Sequence, residues 1–123
     1  MEPKPVVNVI MSQCSPEVEE EYNAWRDETH IPMLLEFKGL KAVTKYKLIT
    51  ETKPLVPGSV IDASGGKSEF LLILEFDNRQ DFEAYEASPE LVAALEEART
   101  HDWRGLQEKR RRVQYELVKG WER

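Results

Sequence analysis

The chain has 123 residues, of which 41% are hydrophobic and 33% are charged. This length fits one domain, residues 1–123, and leaves no room for two. The ordinary apolar share argues against global disorder, and no apolar run approaches the ~20 residues of a membrane-spanning helix. The sequence begins M-E-P-K-P, without a long apolar stretch behind a basic segment, so we expect no secretory signal there.

Acidic residues outnumber basic ones, with 23 Asp and Glu against 17 Lys and Arg, for a net charge of −6. A nucleic-acid-binding protein usually concentrates positive charge against phosphates, so we expect neither a nucleic-acid partner nor a membrane partner. The one basic run, Lys109 to Arg112, falls where a helix is expected to end, and cations there complement the helix dipole. We favour this interpretation over binding of nucleic acid or anionic lipid, because no second basic patch accompanies the run.

Cys14 is the only cysteine, which excludes an internal disulfide and favours a reducing, cytoplasmic location. A catalytic thiol would need an activating neighbour, and we favour a small residue at a strand end as the role of Cys14. The two histidines, His30 and His101, lie far apart in sequence and lack a metal-ligand spacing, so no metal site is indicated. The chain also lacks a Gly-rich nucleotide loop and a Ser-His-Asp order, so no cofactor is expected.

The first two predicted elements are a strand and a long helix. Val6 to Ser12 is rich in β-branched residues, which predicts the strand. The serine and proline at 15–16 provide an N-cap and a first-turn proline, so the helix is expected from there to about His30. Pro32 disfavours helical geometry in the residue before it and marks the expected end. The expected core face of this helix carries Val18, Tyr22, Trp25 and Thr29.

The next segment, Leu40 to Thr50, alternates in polarity and predicts an edge strand with one wet face. We assign to the helix side the face with Leu40, Ala42, Thr44, Tyr46 and Leu48. Glu51 to Gly66 predicts a long loop, and loops of that length are usually lids, interface arms or disordered segments. Its large apolar residues favour partial docking across a dimer or over a pocket mouth.

The second half of the chain predicts two strands around helical segments. Glu69 to Phe76 is almost continuously apolar, which is typical of a strand buried on both faces. Asp77 with Gln80 resembles a capping box that opens a helix with Phe82 and Tyr85 facing inward. The expected later elements are a helix from Ser88-Pro89-Glu90, a helical continuation from His101 to Arg110, and a strand from Val113 to Lys119.

The element order is therefore β-α-β-β-α-β, and the expected fold class is α+β. The simplest packing is the ferredoxin-like arrangement, a four-stranded antiparallel sheet with both helices on one face. The first and third strands are central in that topology, and they are also the most apolar strands of this sequence. One helix layer cannot cover both apolar faces, so a second copy of the sheet is the economical cover, which predicts a homodimer.

A family resemblance supports this architecture. The stretch E-Y-N-A-W-R-D-E-T-H-I-P-M-L-L-E-F-K-G-L, from Glu21 to Leu40, is followed by the strand A-V-T-K-Y-K-L. Together they resemble the dimeric α+β barrel superfamily, and most closely its EthD-like branch. Members of that branch often show an aromatic-rich first helix ending in His, then a Gly and a strand with a Tyr. The matching positions here are Tyr22, Trp25, His30, Pro32, Gly39 and Tyr46.

The resemblance implies a homodimer whose two sheets face each other, forming a barrel. It also implies a pocket in each subunit, between helices and sheet, for a small organic ligand. The superfamily includes cofactor-free monooxygenases, polyketide cyclases, lactone isomerases, haem-degrading enzymes and proteins of unknown role. Because one fold hosts many functions, the site itself has to support any functional conclusion.

His30 is the leading catalytic candidate, with Tyr46 as a second polar group for a bound oxygen. His30 is expected at a helix end, bordering the buried face, where a side chain can look into a cleft. Imidazole exchanges protons readily near neutral pH. The alternative is a histidine that satisfies the last helix carbonyls. The candidate ligand-binding residues are Asn8, Tyr22, Trp25, Arg26 and Tyr85.

Each ligand-binding candidate also has a plainer interpretation. Trp25 and Tyr22 more often pack a core than contact a ligand, although one ring can do both. Asn8 interrupts an apolar strand and needs partners if it is buried. Arg26 is expected on a solvated face, from which it could hold an acidic ligand.

Two functional hypotheses remain at this point. The first is a cofactor-independent enzyme for an aromatic, polyketide-like or lactone substrate, with cyclisation, isomerisation or oxygenation by His30 acid-base chemistry. The second is a non-catalytic module that binds a small ligand or a partner. A cleft with His30 facing into it favours the first, and a filled cleft favours the second.

Overall fold

The structure, a computed structural model, describes residues 3–49, 68–101 and 111–123. The predicted loop from Glu51 to Gly66 and the predicted helical continuation from 102 to 110 lie outside the described residues. Within the described ranges, no helix has the length and apolar character needed to cross a membrane.

A four-stranded antiparallel sheet organises the chain. Its strands are β1 (Val6–Cys14), β2 (Leu40–Lys47), β3 (Ser68–Phe76) and β4 (Arg111–Glu116). Their order is β2-β3-β1-β4, and each neighbouring pair is antiparallel. The two most apolar strands are therefore central, and the ferredoxin-like α+β fold predicted from the sequence is confirmed.

The first helical run continues beyond its predicted end. It consists of a 3-10 turn (Pro16–Val18), α1 (Glu19–Trp25), a π-helical turn (Arg26–His30) and α2 (Ile31–Leu34). The prediction that the helix stops at about His30, before Pro32, was wrong. The Ile31 N–H donates to the carbonyl of Arg26, five residues back, so the helix widens directly before the proline. Pro32 therefore lies inside the helical run, where its missing N–H leaves out one helical hydrogen bond directly after the widened turn.

Two further helices, α3 (Arg79–Glu86) and α4 (Pro89–Ala98), lie between β3 and β4. The predicted capping box at Asp77 was wrong, because the side chain of Asn78 caps α3 by accepting from the Asp81 N–H at 2.8 Å. Ser88 caps α4 as predicted, accepting from the Leu91 N–H at 3.1 Å.

Alternate residues of the strands divide the sheet into two faces. The helix-covered face is buried in two apolar clusters. The larger contains Leu34, Leu72, Leu74, Phe76 and Tyr85, among others. The smaller contains Cys14, Tyr22 and Phe70, with Val18 and Trp25 packed against it.

The other side of the sheet is called the open face here. It carries alternate residues from Val7 to Gln13 in β1, from Glu69 to Glu75 in β3, and from Arg111 to Tyr115 in β4. Thr44 and Tyr46 extend it into β2. Most of these side chains remain partly or fully exposed.

A bulge in β2 changes which of its residues meet the helices. The register shifts between Leu40 and Ala42, so the alternation inverts after the first residue of the strand. Val43 then packs against the larger cluster, and the Lys45 ammonium lies 2.5 Å from the Asp27 carboxylate on the helical run. The prediction that Tyr46 faces the helices was wrong, since it lies opposite Leu71 on the open face and is 54% exposed.

Candidate functional site

Four side chains at every fourth position of the helical run form its buried row. They are Tyr22, Arg26, His30 and Leu34. An ideal α-helix turns about 40° too far over four residues, so such a row would drift around the axis. The wider π turn removes part of that rotation and keeps Arg26 and His30 in the row.

The burial of this row corrects two predictions. Arg26 is 2% exposed, so the prediction of a solvated face was wrong. His30 is 5% exposed and lies within the buried row, whereas the sequence predicted a position at its border. The helix continues to Leu34, so its last carbonyls belong to residues after His30. His30 is therefore not at the helix end, where a histidine that satisfies the last carbonyls would have to lie.

Ser12 of β1 receives two hydrogen bonds from the helical run. Arg26 Nη1 donates to Ser12 Oγ at 2.9 Å, and the Tyr22 hydroxyl donates to the same atom at 3.2 Å. The Arg26 guanidinium also lies over the Tyr22 ring, 4.7 Å from its centroid. A guanidinium remains charged in proteins and its burial requires compensating contacts, and the Ser12 hydroxyl and the Tyr22 ring supply two of them.

Trp25 is oriented by contacts from two directions. Its ring stacks on His30, with centroids 4.8 Å apart and an interplanar angle of 26°. Its indole Nε1 donates to Glu97 Oε1 at 2.7 Å. The other Glu97 oxygen lies 2.8 Å from His101 Nε2, and the His101 ring is 5.3 Å from Trp25. One carboxylate of α4 thus holds two rings, one of which packs on His30.

The hydrogen bonds at Glu97 affect its ionisation. The bond from Trp25, and next the bond from His101, lower the pKa of the Glu97 carboxyl below its ordinary value. In the smaller apolar cluster next to Tyr22, burial raises the pKa of the Cys14 thiol. Cys14 therefore favours its neutral, unreactive form, in agreement with the structural role predicted for it.

These residues form one site, which we call the Arg26–His30 site. Its members are Ser12, Tyr22, Trp25, Arg26, His30 and Glu97. Sequence reasoning found four of them and missed Ser12 and Glu97. The signal for Ser12 was its place on the buried face of an apolar strand, and the signal for Glu97 was its i, i+4 spacing to His101.

Three other candidates lie elsewhere. Asn8 is fully buried, and its Oδ1 accepts from Gln114 Nε2 at 3.0 Å. It shares a strand face with Ser12 but lies four residues away, about 13 Å along the strand. Tyr85 packs in the larger cluster, its ring 5.2 Å from that of Phe76. Tyr46 lies on the open face.

Two open grooves border other parts of the sheet. One, of about 280 Å³, lies between α3 and β4 and includes Phe82 and Glu116. The other, of about 200 Å³, lies at the β2–β3 edge and includes Tyr46 and Leu71. Throughout 3–49, 68–101 and 111–123, no group of three or more His, Cys, Asp or Glu side chains is arranged to hold a metal ion.

The comparisons with known proteins agree with this architecture. Residues 6–105 match the family described as a domain of unknown function, DUF4286. The chain belongs to the DUF4286 family. No protein with a curated description matches it in sequence.

Solved structures show the fold more widely. An EthD family protein from Bacillus halodurans C-125 superposes with a TM-score of 0.63 at 14% identity, over 92% of this chain and 99% of the other. A dimeric ferredoxin-like protein of unknown function from Thermobifida fusca YX gives 0.54 at 17% identity, over 95% and 94%. A dimeric protein of unknown function and ferredoxin-like fold from Bacteroides fragilis NCTC 9343 gives 0.54 at 20% identity, over 92% and 96%. The resemblance seen in the sequence is therefore confirmed for the fold.

Proposed function

We propose that this DUF4286 protein is a homodimer that binds a small acidic organic molecule at the Arg26–His30 site. We further propose that it acts on this molecule as a cofactor-independent enzyme, with His30 as the proton-transfer group. The observation that carries the proposal is the burial of a guanidinium and an imidazole four residues apart on one π-helical turn. π-helical turns are rare in proteins, and those that do occur are often found at functional sites.

The charge of Arg26 indicates the class of ligand. A guanidinium is always protonated and presents several N–H donors in a planar fork that matches a carboxylate or an enolate oxygen. Its contact with Ser12 Oγ fixes one end of that fork. In a buried environment its attraction for an anion is stronger than in water. An anion, or an oxygen that gains negative charge during reaction, is therefore the ligand this group favours.

Proton transfer is the chemistry that His30 adds. Imidazole gives and takes protons near neutral pH, and catalysis needs it in a fixed orientation. Trp25 supplies that orientation by stacking on the ring, and Glu97 in turn holds Trp25. We accordingly assign Trp25 a positioning role, in place of the ligand-stacking role considered from the sequence.

The reaction class follows from these two groups. His30 removes a proton from a carbon next to a carbonyl, and Arg26 stabilises the enolate oxygen that results. Cyclisation, isomerisation and oxygenation of aromatic, polyketide-like or lactone substrates all begin with such a step. The EthD family protein among the similar structures is compatible with a small-molecule role for this fold.

The homodimer part of the proposal rests on the open face. Val9, Met11, Leu71 and Ile73 form its centre and are all only partly buried by the chain itself. Soluble monomers rarely expose an apolar patch larger than a few hundred Å². The two similar proteins described as dimeric share the fold that presents such a face. Light scattering at micromolar concentration should give twice the chain mass.

A pair of probes tests the ligand class. The proposal expects 2-naphthoate to bind about tenfold tighter than the neutral 2-naphthamide, measured by calorimetry, because a charge-assisted bond to Arg26 adds roughly 1.4 kcal/mol. Arg26→Gln should abolish this preference. Arg99→Gln also removes one positive charge, but from an exposed arginine, and should keep the preference. If Arg26→Gln fails to fold, Arg26→Lys should retain the preference for the anion with weaker binding. Equal binding of the two probes to the native protein would refute an anion site.

A second measurement tests the chemistry. Deuterium exchange into the benzylic position of phenylacetone, followed by NMR, reports enolisation without a known substrate. The native protein should accelerate this exchange, and His30→Asn should reduce the acceleration by about 100-fold or more while binding of 2-naphthoate remains. Binding of 2-naphthoate without any His30-dependent exchange would favour the non-catalytic binding module.

A further inference from the structure

The groove between α3 and β4 lies away from the Arg26–His30 site. It has a volume of about 280 Å³, and its lining includes Val6, Phe82 and Gln114. In the sheet Gln114 lies opposite Asn8, which is four residues, or about 13 Å, from Ser12. The volume is close to the ~300 Å³ at which small-molecule pockets begin. The groove is therefore separate from the proposed catalytic site and is of a size that suits a small ligand.

Two ion pairs join α3 to β4 along this groove. Arg79 Nη2 lies 3.2 Å from Glu116 Oε2, and Arg112 Nη2 lies 2.6 Å from Glu86 Oε1. The charges balance within each pair, and Glu83 adds one further carboxylate to the lining. The net charge of these side chains is therefore negative and disfavours an anion, in contrast to the guanidinium of the Arg26–His30 site.

Phe82 provides an aromatic wall on the α3 side of the groove. Its ring meets the ring of Phe76 nearly edge-on, with centroids 5.5 Å apart and an interplanar angle of 73°. This contact fixes the Phe82 ring against the larger apolar cluster, while the residue remains partly exposed. A ring held in this way at the side of a groove favours a flat aromatic ligand.

A buried amide lies directly behind the β4 side of the groove. Asn8 is fully buried, and its Oδ1 accepts from Gln114 Nε2 at 3.0 Å. Among the described residues none accepts a hydrogen bond from Asn8 Nδ2. A buried donor without a partner costs free energy, which an added acceptor recovers. Because Gln114 is exposed and lines the groove, the Asn8 amide is one hydrogen bond away from the groove wall.

The Asn8–Gln114 pair leaves one donor and one acceptor unused in this contact. The donor is Asn8 Nδ2 and the acceptor is Gln114 Oε1, since the pair's own bond joins the other two groups. A ligand with an N–H next to a carbonyl matches both, so that each of three amides donates to one neighbour and accepts from the other. Turning both side-chain amides over exchanges donor and acceptor, and such a ligand still matches because it carries both.

We propose that this groove binds a neutral, planar aromatic lactam, a ring that carries an N–H next to its carbonyl. The lactam carbonyl accepts from Asn8 Nδ2, the lactam N–H donates to Gln114 Oε1, and the ring packs on Phe82. The buried Asn8 donor thereby gains the acceptor that it lacks among the described residues.

Quinolin-2-one and its N-methyl derivative form a matched pair of probes, because methylation removes the N–H and keeps the ring and the carbonyl. Calorimetry of the native protein should show at least about tenfold tighter binding of quinolin-2-one. In isotope-labelled protein, saturation with this probe should shift the side-chain NH₂ signals of Asn8 and Gln114 in the NMR spectrum. Equal binding of the two probes, no binding up to ~1 mM, or binding without these shifts would overturn the proposal.

Variants separate the amide contact from the size of the added methyl group. Gln114→Leu should weaken binding of quinolin-2-one about tenfold and remove its advantage over the N-methyl derivative. Gln80→Leu makes the same change at an exposed position of α3 and should alter the affinity less than about twofold. If Gln114→Leu fails to fold, Gln114→Glu offers Asn8 Nδ2 an acceptor within the chain and should weaken binding by as much. A Gln114 variant that binds as tightly as the Gln80 variant would refute the contact.

Competition distinguishes this groove from the Arg26–His30 site. Saturating 2-naphthoate should change the affinity for quinolin-2-one less than about twofold, because two distant sites without shared partners act independently. Displacement of quinolin-2-one by 2-naphthoate would place both probes at the Arg26–His30 site and overturn the groove as the lactam site.

Discussion

Both faces of the sheet carry apolar side chains, but the helices of the described residues cover only one face. On the helix-covered face, β3 contributes Phe70, Leu72, Leu74 and Phe76, each 2% exposed or less. On the open face the same strand contributes Leu71 and Ile73, which the described chain only partly buries. The covered face also holds the only buried arginine of the described residues, whereas the carboxylates of the open face remain at its ends. The alternation of β3 thus builds the core on one side and presents, on the other, the face through which we propose that two copies associate.

The difference between the two faces is tested most directly by substituting two adjacent leucines of β3, one on each face. Leu72→Ala should lower the free energy of unfolding by about 2–5 kcal/mol, because it leaves a cavity in the larger cluster. Leu71→Ala should cost less, and its cost should increase with protein concentration if a second copy covers the residue. Urea unfolding at two protein concentrations measures both effects. Equal, concentration-independent losses would show that the two faces do not differ in this way.

Ser12 tests the polar part of the covered face. Ser12→Ala removes the acceptor of both the Arg26 and the Tyr22 bonds, so we expect a loss of about 2–3 kcal/mol. Tyr22→Phe removes the weaker bond between neutral groups and should cost about 0.5–1.5 kcal/mol. A loss at Ser12 no larger than that at Tyr22 would indicate that the Arg26 contact contributes nothing to stability.

Glu97 adds a pH dependence to the Arg26–His30 site. Its pKa is lowered in the folded protein, first by the Trp25 bond and then by the His101 bond. A lowered pKa stabilises the fold at pH values above the unfolded pKa of about 4.5, and this contribution is lost as the pH falls through the folded value. The stability advantage of the native protein over Glu97→Gln should therefore shrink between neutral and acidic pH.

Glu96→Gln is the matched control for this measurement, since Glu96 is the exposed neighbour on the same helix. Chemical unfolding at several pH values, with tryptophan emission as a second signal, follows the effect. A Glu97→Gln difference that stays constant with pH would remove the ionised carboxylate from the explanation.

The smallest effect is expected at the sheet surface. Lys41 and Asp77 form an ion pair at 3.4 Å with about two thirds of each side chain exposed. Lys41→Gln should change the free energy of unfolding by less than about 0.5 kcal/mol, because such pairs are screened by solvent. A thermal scan at low and high salt is sufficient, and a change above 1 kcal/mol would contradict the assignment of this pair to the solvated edge.

The sequence predicted the strand order and the fold because apolar alternation and capping residues are local signals. Ser88 before Pro89 correctly predicted the start of α4. The continuous apolar run of β3 correctly predicted that this strand is central in the sheet. The orientation of Tyr46 was not predictable in this way. The bulge between Leu40 and Ala42 inverts the alternation, and neither residue carries a glycine or proline signal for it.

The Arg26–His30 site was predictable only in part. His30, Trp25 and Tyr22 were found because aromatic residues and histidine stand out at helical spacing. The burial of Arg26 was not predicted, because an arginine at the border of a core face is usually solvated and no local pattern in the sequence indicates the π turn. Contacts between distant elements, such as Trp25 with Glu97, leave no local pattern in the sequence.

The π-helical turn at Arg26–His30 has a consequence for the lineage of this chain. A hydrogen bond that spans five residues encloses one more residue than the ordinary helical bond, so the turn is equivalent to a single inserted amino acid. Deleting one residue between 26 and 30 would restore a regular helix, and because the π turn already absorbs the ~100° of that residue, Tyr22 and Leu34 would keep their common face. A relative of ordinary helical length at this point would keep the flanking core positions and lack the widened turn that carries Arg26 and His30. The length of this helix, more than the identity of any one residue in it, would then separate relatives that share the site from those that share only the fold.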